Sequence, residues 1–450
     1  MADPAAAHAT PPPSPPRPVV ELYEAITGDE DARVCKDIPE SACRVQPASF
    51  FIHLISNTAT KIGDELASAK LVLAWLMAAL GAPAALAGLL VPIREAGALM
   101  PQLLVAAFIR HAPVRKWFWI WGSIGQALAV AGMGLTALSL TGAAAGWVLV
   151  ALTVVFALAR GMSSVASKDV LGKTISKQRR GTLMGYASAA AGAVTLMLGL
   201  GLTLQGGADA GAGFFAVLLL AAAGLWLLAA AVFAMLREEP GATGGGGNAI
   251  TESLRSLGLL RTDAPFRRFV LTRALLMSTA LAQPFYVMLA QQQGDGGLAD
   301  LGLLILATGL AGTLSAPIWG RLSDRSSRRV LMAAGTLAGV LGVAVFLLVN
   351  LGVPWALTPW AFAAFLLIMG IAHAGVRLGR KTYLVDMATT ETRAAYTAVS
   401  NTVIGILLLA GGVFGLVAQL AGTATAILAL SLLALAGAVS AARLGEVQQD

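Results

Sequence analysis

The chain has 450 residues, 57% of them hydrophobic and only 12% charged, where a soluble domain carries about 25% charged residues. A soluble globular fold is therefore excluded, and the formal net charge of +7 needs a topological explanation before an acidic partner is invoked. Four histidines, no Gly-x-x-x-x-Gly-Lys segment and no His-Glu-x-x-His segment argue against an ATP-driven pump, a zinc hydrolase or any other enzyme.

In chain order, residues 1–48 read as a disordered N-terminal tail, because the opening is rich in Pro and Ala and holds no apolar core. No cleavable signal peptide is expected. Cys35 and Cys43, the only cysteines, fall in this tail and are expected to stay reduced thiols; two thiolates alone do not complete a metal site. Twelve apolar segments follow, at roughly 50–80, 84–109, 116–141, 147–169, 182–205, 212–236, 266–290, 300–321, 328–349, 358–379, 394–418 and 423–442. Most exceed the ~20 residues that cross the hydrocarbon. Trp117, Trp119 and Trp121 open the third, and Trp147, Trp355 and Trp360 mark the far ends of others, as expected for a ring that prefers the membrane interface. Fifty glycines allow close helix approach in lipid. The polar, Gly-rich stretch 237–265 separates six segments from six, predicting bundles over 49–236 and 266–442 and a short tail over 443–450.

The loops set the orientation. Those near 81–83, 142–146, 206–212, 292–299, 350–358 and 419–423 hold no Lys or Arg. The alternate loops hold Arg110, Arg115 and Lys116; Lys173, Lys177, Arg179 and Arg180; Arg237, Arg255, Arg261, Arg267 and Arg268; Arg321, Arg325, Arg328 and Arg329; and Arg380, Lys381 and Arg393. Basic loops are retained on the cytoplasmic side. This predicts an all-α protein of twelve transmembrane helices in the cell's inner membrane, both termini cytoplasmic. A nucleic-acid-binding patch would not skip every second loop.

The halves repeat at an offset of 213 residues: Arg115–Lys116 fall on Arg328–Arg329, Lys168 on Lys381, Arg180 on Arg393, Gly192 on Gly405, and Arg160 on His373. Parallel repeats of this kind place a binding site between them near the midplane. The segment Trp319-Gly320-Arg321-Leu322-Ser323-Asp324-Arg325-Ser326-Ser327-Arg328-Arg329 resembles the loop motif between the second and third helices of a half in the major facilitator superfamily. Gly320, Asp324, Arg325, Arg328 and Arg329 carry the match, and Ser327 stands where the family has a second Gly. The resemblance implies two pseudo-symmetric six-helix bundles, with this loop as a gating latch acting through Asp324. The first-half copy is degenerate, with Ala107 and His111 at the positions of Gly320 and Asp324.

Charges inside the spans carry the functional expectation, because an ionised group at depth costs at least ~2.5 kcal/mol and seeks a watery cavity or a partner. Lys70, Arg94 and Glu95 lie roughly 15 Å deep, and Arg160 and His373 roughly 20 Å from the loops without basic residues. Lys61 and Glu65 share a helical face, and Asp64 and Ser68 another; Gly63–Asp64 resembles a short element of the family's first helix. Lys61, Asp64 and Glu65 also fit an interfacial ion cluster near the cytoplasmic end. Pro92 kinks the second helix and frees the carbonyl near Gly88. Arg94 and Glu95 point about 100° apart, so each seeks a partner on another helix, with Lys70 the candidate for Glu95. Met369, His373 and Arg377 share one face of the tenth helix, and His titrates near neutral pH when unperturbed. Met369 with His373 also suits a soft metal, although scattered methionines elsewhere argue against one. Asn401 and Gln126 fit either hydrogen bonding to a solute or helix–helix contact.

The expected substrate-binding set is therefore Lys70, Arg94, Arg160, Arg377 and Asn401, with Glu65, Glu95 and His373 as proton-coupling groups and neither metal nor cofactor. Counting Arg273, cations outnumber anions, which favours an anionic or zwitterionic solute. A secondary active transporter is expected, driven by protons and working as a monomer, with a small solute, protons and the lipid bilayer as partners. Each intramembrane charge also fits a purely structural helix brace. A non-transporting assembly or delivery factor, or a solute sensor, remains the alternative.

Overall fold

The computed structural model describes residues 15–27, 38–99, 108–109, 111–204, 211–241, 243, 257–294, 297–389 and 392–448, without the side chains of Ala316, Asp324 and Ala394. Every regular element among them is helical. Helices α1 (Arg17–Thr27) and α2 (Glu40–Arg44) precede α3 (Gln46–Leu66) and α4 (Val72–Ala79), which together form the first span. The second to sixth spans are α5 (Ala84–Leu99), α6 (Lys116–Ser139), α7 (Gly142–Thr174), α8 (Lys177–Leu204) and α9 (Ala212–Ala234). After α10 (Leu259–Thr262), the helices α11 (Ala264–Leu276) and α12 (Ser278–Gln293) form the seventh. Then come α13 (Leu298–Arg325), α14 (Ser327–Asn350), α15 (Pro359–Met387), the pair α16 (Arg393–Ala410) and α17 (Val413–Ala421), and α18 (Thr423–Ala442).

Ten of these stretches are long and apolar enough to cross a membrane. The first and second complete twelve. The first is divided between α3 and α4, and the continuation of the second falls on residues 100–107, outside the described set. Local chemistry sets several helix starts. The Ser326 hydroxyl accepts from Arg329 N–H at the head of α14, and Thr358 and Asp263 do the same for α15 and α11, satisfying donors that a helix start leaves open. Gly422, at φ 92°, ends α17 in a conformation that only glycine adopts without strain.

In the first half, α9 packs on α6 and α3, α7 on α6 and α5, and α8 on α3; in the second, α18 packs on α14 and α12, and α15 on α13 and α14. Large apolar side chains such as Leu128, Leu204, Leu351 and Leu420 point outward, as lipid requires. The repeat is visible in the helix ends, since α7 stops at Thr174 and α15 at Met387, one repeat offset apart. The molecule is thus two pseudo-symmetric six-helix bundles. They meet through α8 against α13, α5 against α16 and α17, and α4 against α12. These contacts gather toward the ends whose loops lack Lys and Arg. There a Cβ on Gly88 would lie 2.5 Å from Gly415 Cα, and one on Gly302 would lie 2.6 Å from Thr203 N, so backbones touch where no side chain fits. Ala85 N–H donates to Gln419 Oε1 across the same seam at 3.3 Å.

At the opposite, basic end each half is tied by its last residues. Glu238, just past α9, accepts from the Arg115 and Lys116 N–H groups at the head of α6 at 2.6–3.0 Å and pairs with Lys173 at 2.9 Å. Past α18, Glu446 accepts from Ser326 Oγ at 2.8 Å and lies 3.5 Å from Arg328 Nε, while Gln448 accepts from Ser327 N–H and donates to Ser323 O, both at 2.7 Å.

Four expectations are corrected. The first span is not one helix, because it unwinds between Leu66 and Val72. Part of the expected disordered tail is α1, an amphipathic helix whose Tyr23 is fully buried against Phe50, with its hydroxyl accepting from Gln46 Nε2 at 2.8 Å. Cys43 is disulfide-bonded rather than a free thiol, and Cys35, the only other cysteine, lies outside the described residues. Trp119 faces inward, stacked on Phe233 at 4.0 Å, whereas Trp117, Trp121, Trp147, Trp355 and Trp360 are exposed as an interfacial ring should be. Residues 242 and 244–256 of the expected connector lie outside the described set.

Candidate substrate site

A cavity of about 340 Å³ lies between the halves. The broken first span builds one wall. With α3 ending at Leu66, both Leu71 N–H and Leu73 N–H turn to Ser68 O, leaving the Ala67 carbonyl to another donor. Arg94 supplies it: Nη1 donates to Ala67 O and Nη2 to Asp64 Oδ1 at 3.0 Å, with the guanidinium 4.6 Å from the Phe156 ring centroid. Arg160 of α7 donates through Nη1 to the same Asp64 oxygen. One carboxylate thus bridges guanidiniums from two other helices. Non-helical backbone at this depth is tolerated where it borders a cavity or finds such a partner.

The opposite wall comes from α11, α12 and α15. Arg273, only 7% exposed, donates to Ser400 Oγ at 2.6 Å and to Asn401 Oδ1 at 2.9 Å. Thr279 Oγ1 donates to Leu276 O at 2.9 Å and lies 3.1 Å from His373 Nδ1. The Thr279 hydroxyl thus ties His373 to the end of α11. Arg377, Arg380 and Gln283 complete this wall.

Lys70, Arg94, Arg160, Arg377, Glu65, Glu95 and His373 all line the one cavity. The repeat-related pair Arg160 and His373 therefore share it. Asn401 does not line it; its amide oxygen is engaged by Arg273 and positions that side chain instead. Lys70 and Glu95 both face the cavity but form no ion pair with each other, and Arg94 takes Asp64 as its cross-helix partner. Asp64, expected in an interfacial cluster, is central. Met369 is buried in the apolar core rather than beside the cavity. Arg380 reads as a loop residue in the sequence, but α15 runs on to Met387 and carries it into the wall. The Gly63–Asp64 element is the one sequence signal for Asp64; Thr279 and Gln283 carry none.

In the loop motif, Gly320 is half-buried, Arg325 and Arg329 are exposed, and Arg328 donates to Leu444 O at 3.2 Å. The side chain of Asp324 lies outside the described residues.

A charged cavity of this size between two bundles of membrane-spanning length is the arrangement of a membrane transporter of small solutes. The sequence profile of the Major Facilitator Superfamily matches residues 50–357 and 277–447, and the chain belongs to that family. No curated protein matches the sequence significantly. Among solved structures, a mutant of the nucleoside transporter NupG aligns with TM-score 0.69 and 13% identity over 88% of this chain and 99% of that one. A D-xylose–proton symporter aligns with TM-score 0.65 and 12% identity over 90% and 98%. The xylose transporter XylE from E. coli, inward open, aligns with TM-score 0.64 and 10% identity over 88% and 97%. At these identities the likeness concerns the fold.

Proposed function

We propose that the chain is a proton-coupled transporter of a small organic anion, working by alternating access between bodies 49–236 and 266–442 joined through 237–265. The chain sits in the cell's inner membrane with its basic end and both termini in the cytoplasm, and the cavity faces that end, a reading supported by the contacts between the halves gathering at the other. The observation that carries the proposal is the Asp64 carboxylate shared by Arg94 and Arg160.

With the site empty, the single negative charge of Asp64 is shared by both guanidiniums and holds them together. A proton on Asp64 removes that charge, and both guanidiniums become available to an anion. Charge-assisted, forked hydrogen bonds from Arg are the strong way to hold a carboxylate or phosphate. A proton and an anion therefore raise each other's affinity, and the linkage is reciprocal by thermodynamic necessity. Six cations face three carboxylates across the cavity, which favours an anion over a cation. Lys70 adds to this field, and Glu65, Glu95 and His373 line the same cavity as further titratable groups. Proton coupling has precedent in the fold, in the D-xylose–proton symporter.

Reconstituted vesicles test the scheme. In Asp64→Asn, anion exchange at equal concentrations should continue and lose its dependence on pH, while accumulation driven by a pH gradient stops. Gradient-driven accumulation by this variant at the wild-type level would remove Asp64 as the coupling group. An absence of anion flux in the wild type would favour a sensor or assembly role instead.

A further inference from the structure

The cavity charge is divided unequally between the halves. The first half brings Lys70, Arg94 and Arg160 against Asp64, Glu65 and Glu95, so its own carboxylates match its cations in number. The second half brings Arg273, Arg377 and Arg380 with His373, and no carboxylate stands on its described wall. Arg273 is the telling member. It is more than nine-tenths buried, its two terminal nitrogens rest on the neutral oxygens of Ser400 and Asn401, and its Nε has no partner among the described residues. A guanidinium buried to this degree ordinarily meets a carboxylate. Arg377 and Arg380 lie three residues apart on α15, so they project from one side of that helix. Glu95 acts on Arg380 electrostatically from across the cavity, but it belongs to the half that already has three cations.

We propose that this wall is a subsite for the second negative charge of the solute and that the transported solute is a compact organic dianion, a dicarboxylate or a phosphate monoester. The proposal rests on the anion-transport function above and deepens it. A monoanion would leave most of the excess charge of the second half uncompensated, and the ammonium of a zwitterion would meet repulsion there. Planar guanidiniums match the paired oxygens of carboxylate and phosphate. A cavity of about 340 Å³ holds a chain of a few carbons, at the small end of ligand pockets. The halves then divide the work, with the Asp64 bridge reading the proton and the carboxylate-free wall reading the second negative charge.

The test uses the purified full chain and four probes: succinate, butyrate and 4-aminobutyrate, which share a four-carbon chain and differ at one end, and glycerol phosphate. Binding is read by calorimetry and by thermal stabilisation. At least one dianion should bind about tenfold or more tighter than butyrate, and the choice between succinate and glycerol phosphate tells dicarboxylate from phosphate. Arg377→Gln and Arg380→Gln should each weaken that dianion by about tenfold or more, the scale of losing one charge-assisted contact, and change butyrate affinity little. Arg377→Lys and Arg380→Lys, which keep the charge, check that any loss is not misfolding. Butyrate or 4-aminobutyrate binding as tightly as both dianions, dianion affinity unchanged in both Gln variants, or no dianion binding at millimolar concentration overturns the proposal. In each of those cases pH-driven flux of a monoanion would leave the transport function standing, whereas its absence would remove both.

Discussion

At the scale of single residues, Arg94 and Arg160 share a carboxylate but not a burden. Arg94 also satisfies the Ala67 carbonyl exposed by the break in the first span and stacks over Phe156, and its side chain is 14% exposed against 37% for Arg160. Arg94→Gln is expected to cost about 1–3 kcal/mol, because it leaves a buried carbonyl without its donor. Arg160→Gln should cost less, since water screens an exposed pair. Both should weaken anion binding. Melting temperatures of the two variants check the order, and an equal or greater loss for Arg160→Gln would contradict it. Depth arithmetic locates Lys70, Arg94, Arg160 and His373 because each interrupts an apolar run. The same arithmetic passes over Asp64, whose neighbours Lys61 and Glu65 give it an interfacial look. Its role depends on two arginines 30 and 96 positions away, and no local spacing encodes such a meeting.

Among elements, apolar length and loop charge make the spans legible, and the repeat offset matches the register in which α7 and α15 end, although both run past the expected 169 and 379. The breaks are not legible. Neither Pro nor Gly lies between Leu66 and Val72, and the unwinding there is stabilised from outside by Arg94. The folded part of the tail is hidden for a similar reason, since α1 draws its burial from Phe50 in a different helix. Nor does the sequence reveal how the basic end is fastened. The Glu238 side chain is fully buried and places its charge at the head of α6, where a helix start favours an anion. Glu238→Gln should therefore destabilise the protein by about 3 kcal/mol, the scale of breaking a buried pair. Glu446→Gln at the repeat-related loop should cost less, since its side chain is 35% exposed. Thermal denaturation of the two variants compares them directly, and a larger drop for Glu446→Gln would show that burial at Glu238 is not what counts.

For the whole molecule, the contacts between halves concentrate on the end without basic loops, where Gly88 meets Gly415 and Ala85 N–H reaches Gln419. The proposed function requires the cavity to be exposed in turn on the other side. In the proposed cycle the two bundles part along this seam and close at the basic end, and the seam combines the glycine contact with Leu89, Leu196 and Leu306, whose side chains pack against Gly412, Gly309 and Gly199 of the other half. The seam also has little polar cost of opening, since its hydrogen bond from Ala85 N–H is long at 3.3 Å. A covalent bridge should therefore arrest transport while sparing the site. With Cys35 and Cys43 replaced by Ser, the pair Ala85→Cys and Gln419→Cys would be oxidised in vesicles and the cross-link verified by mass spectrometry. Net anion flux should fall to the background of protein-free vesicles and return on reduction, while anion binding from the basic side persists, because the bridge holds shut only the end that is already closed. Unchanged flux through the cross-linked protein would mean that the seam does not open during transport.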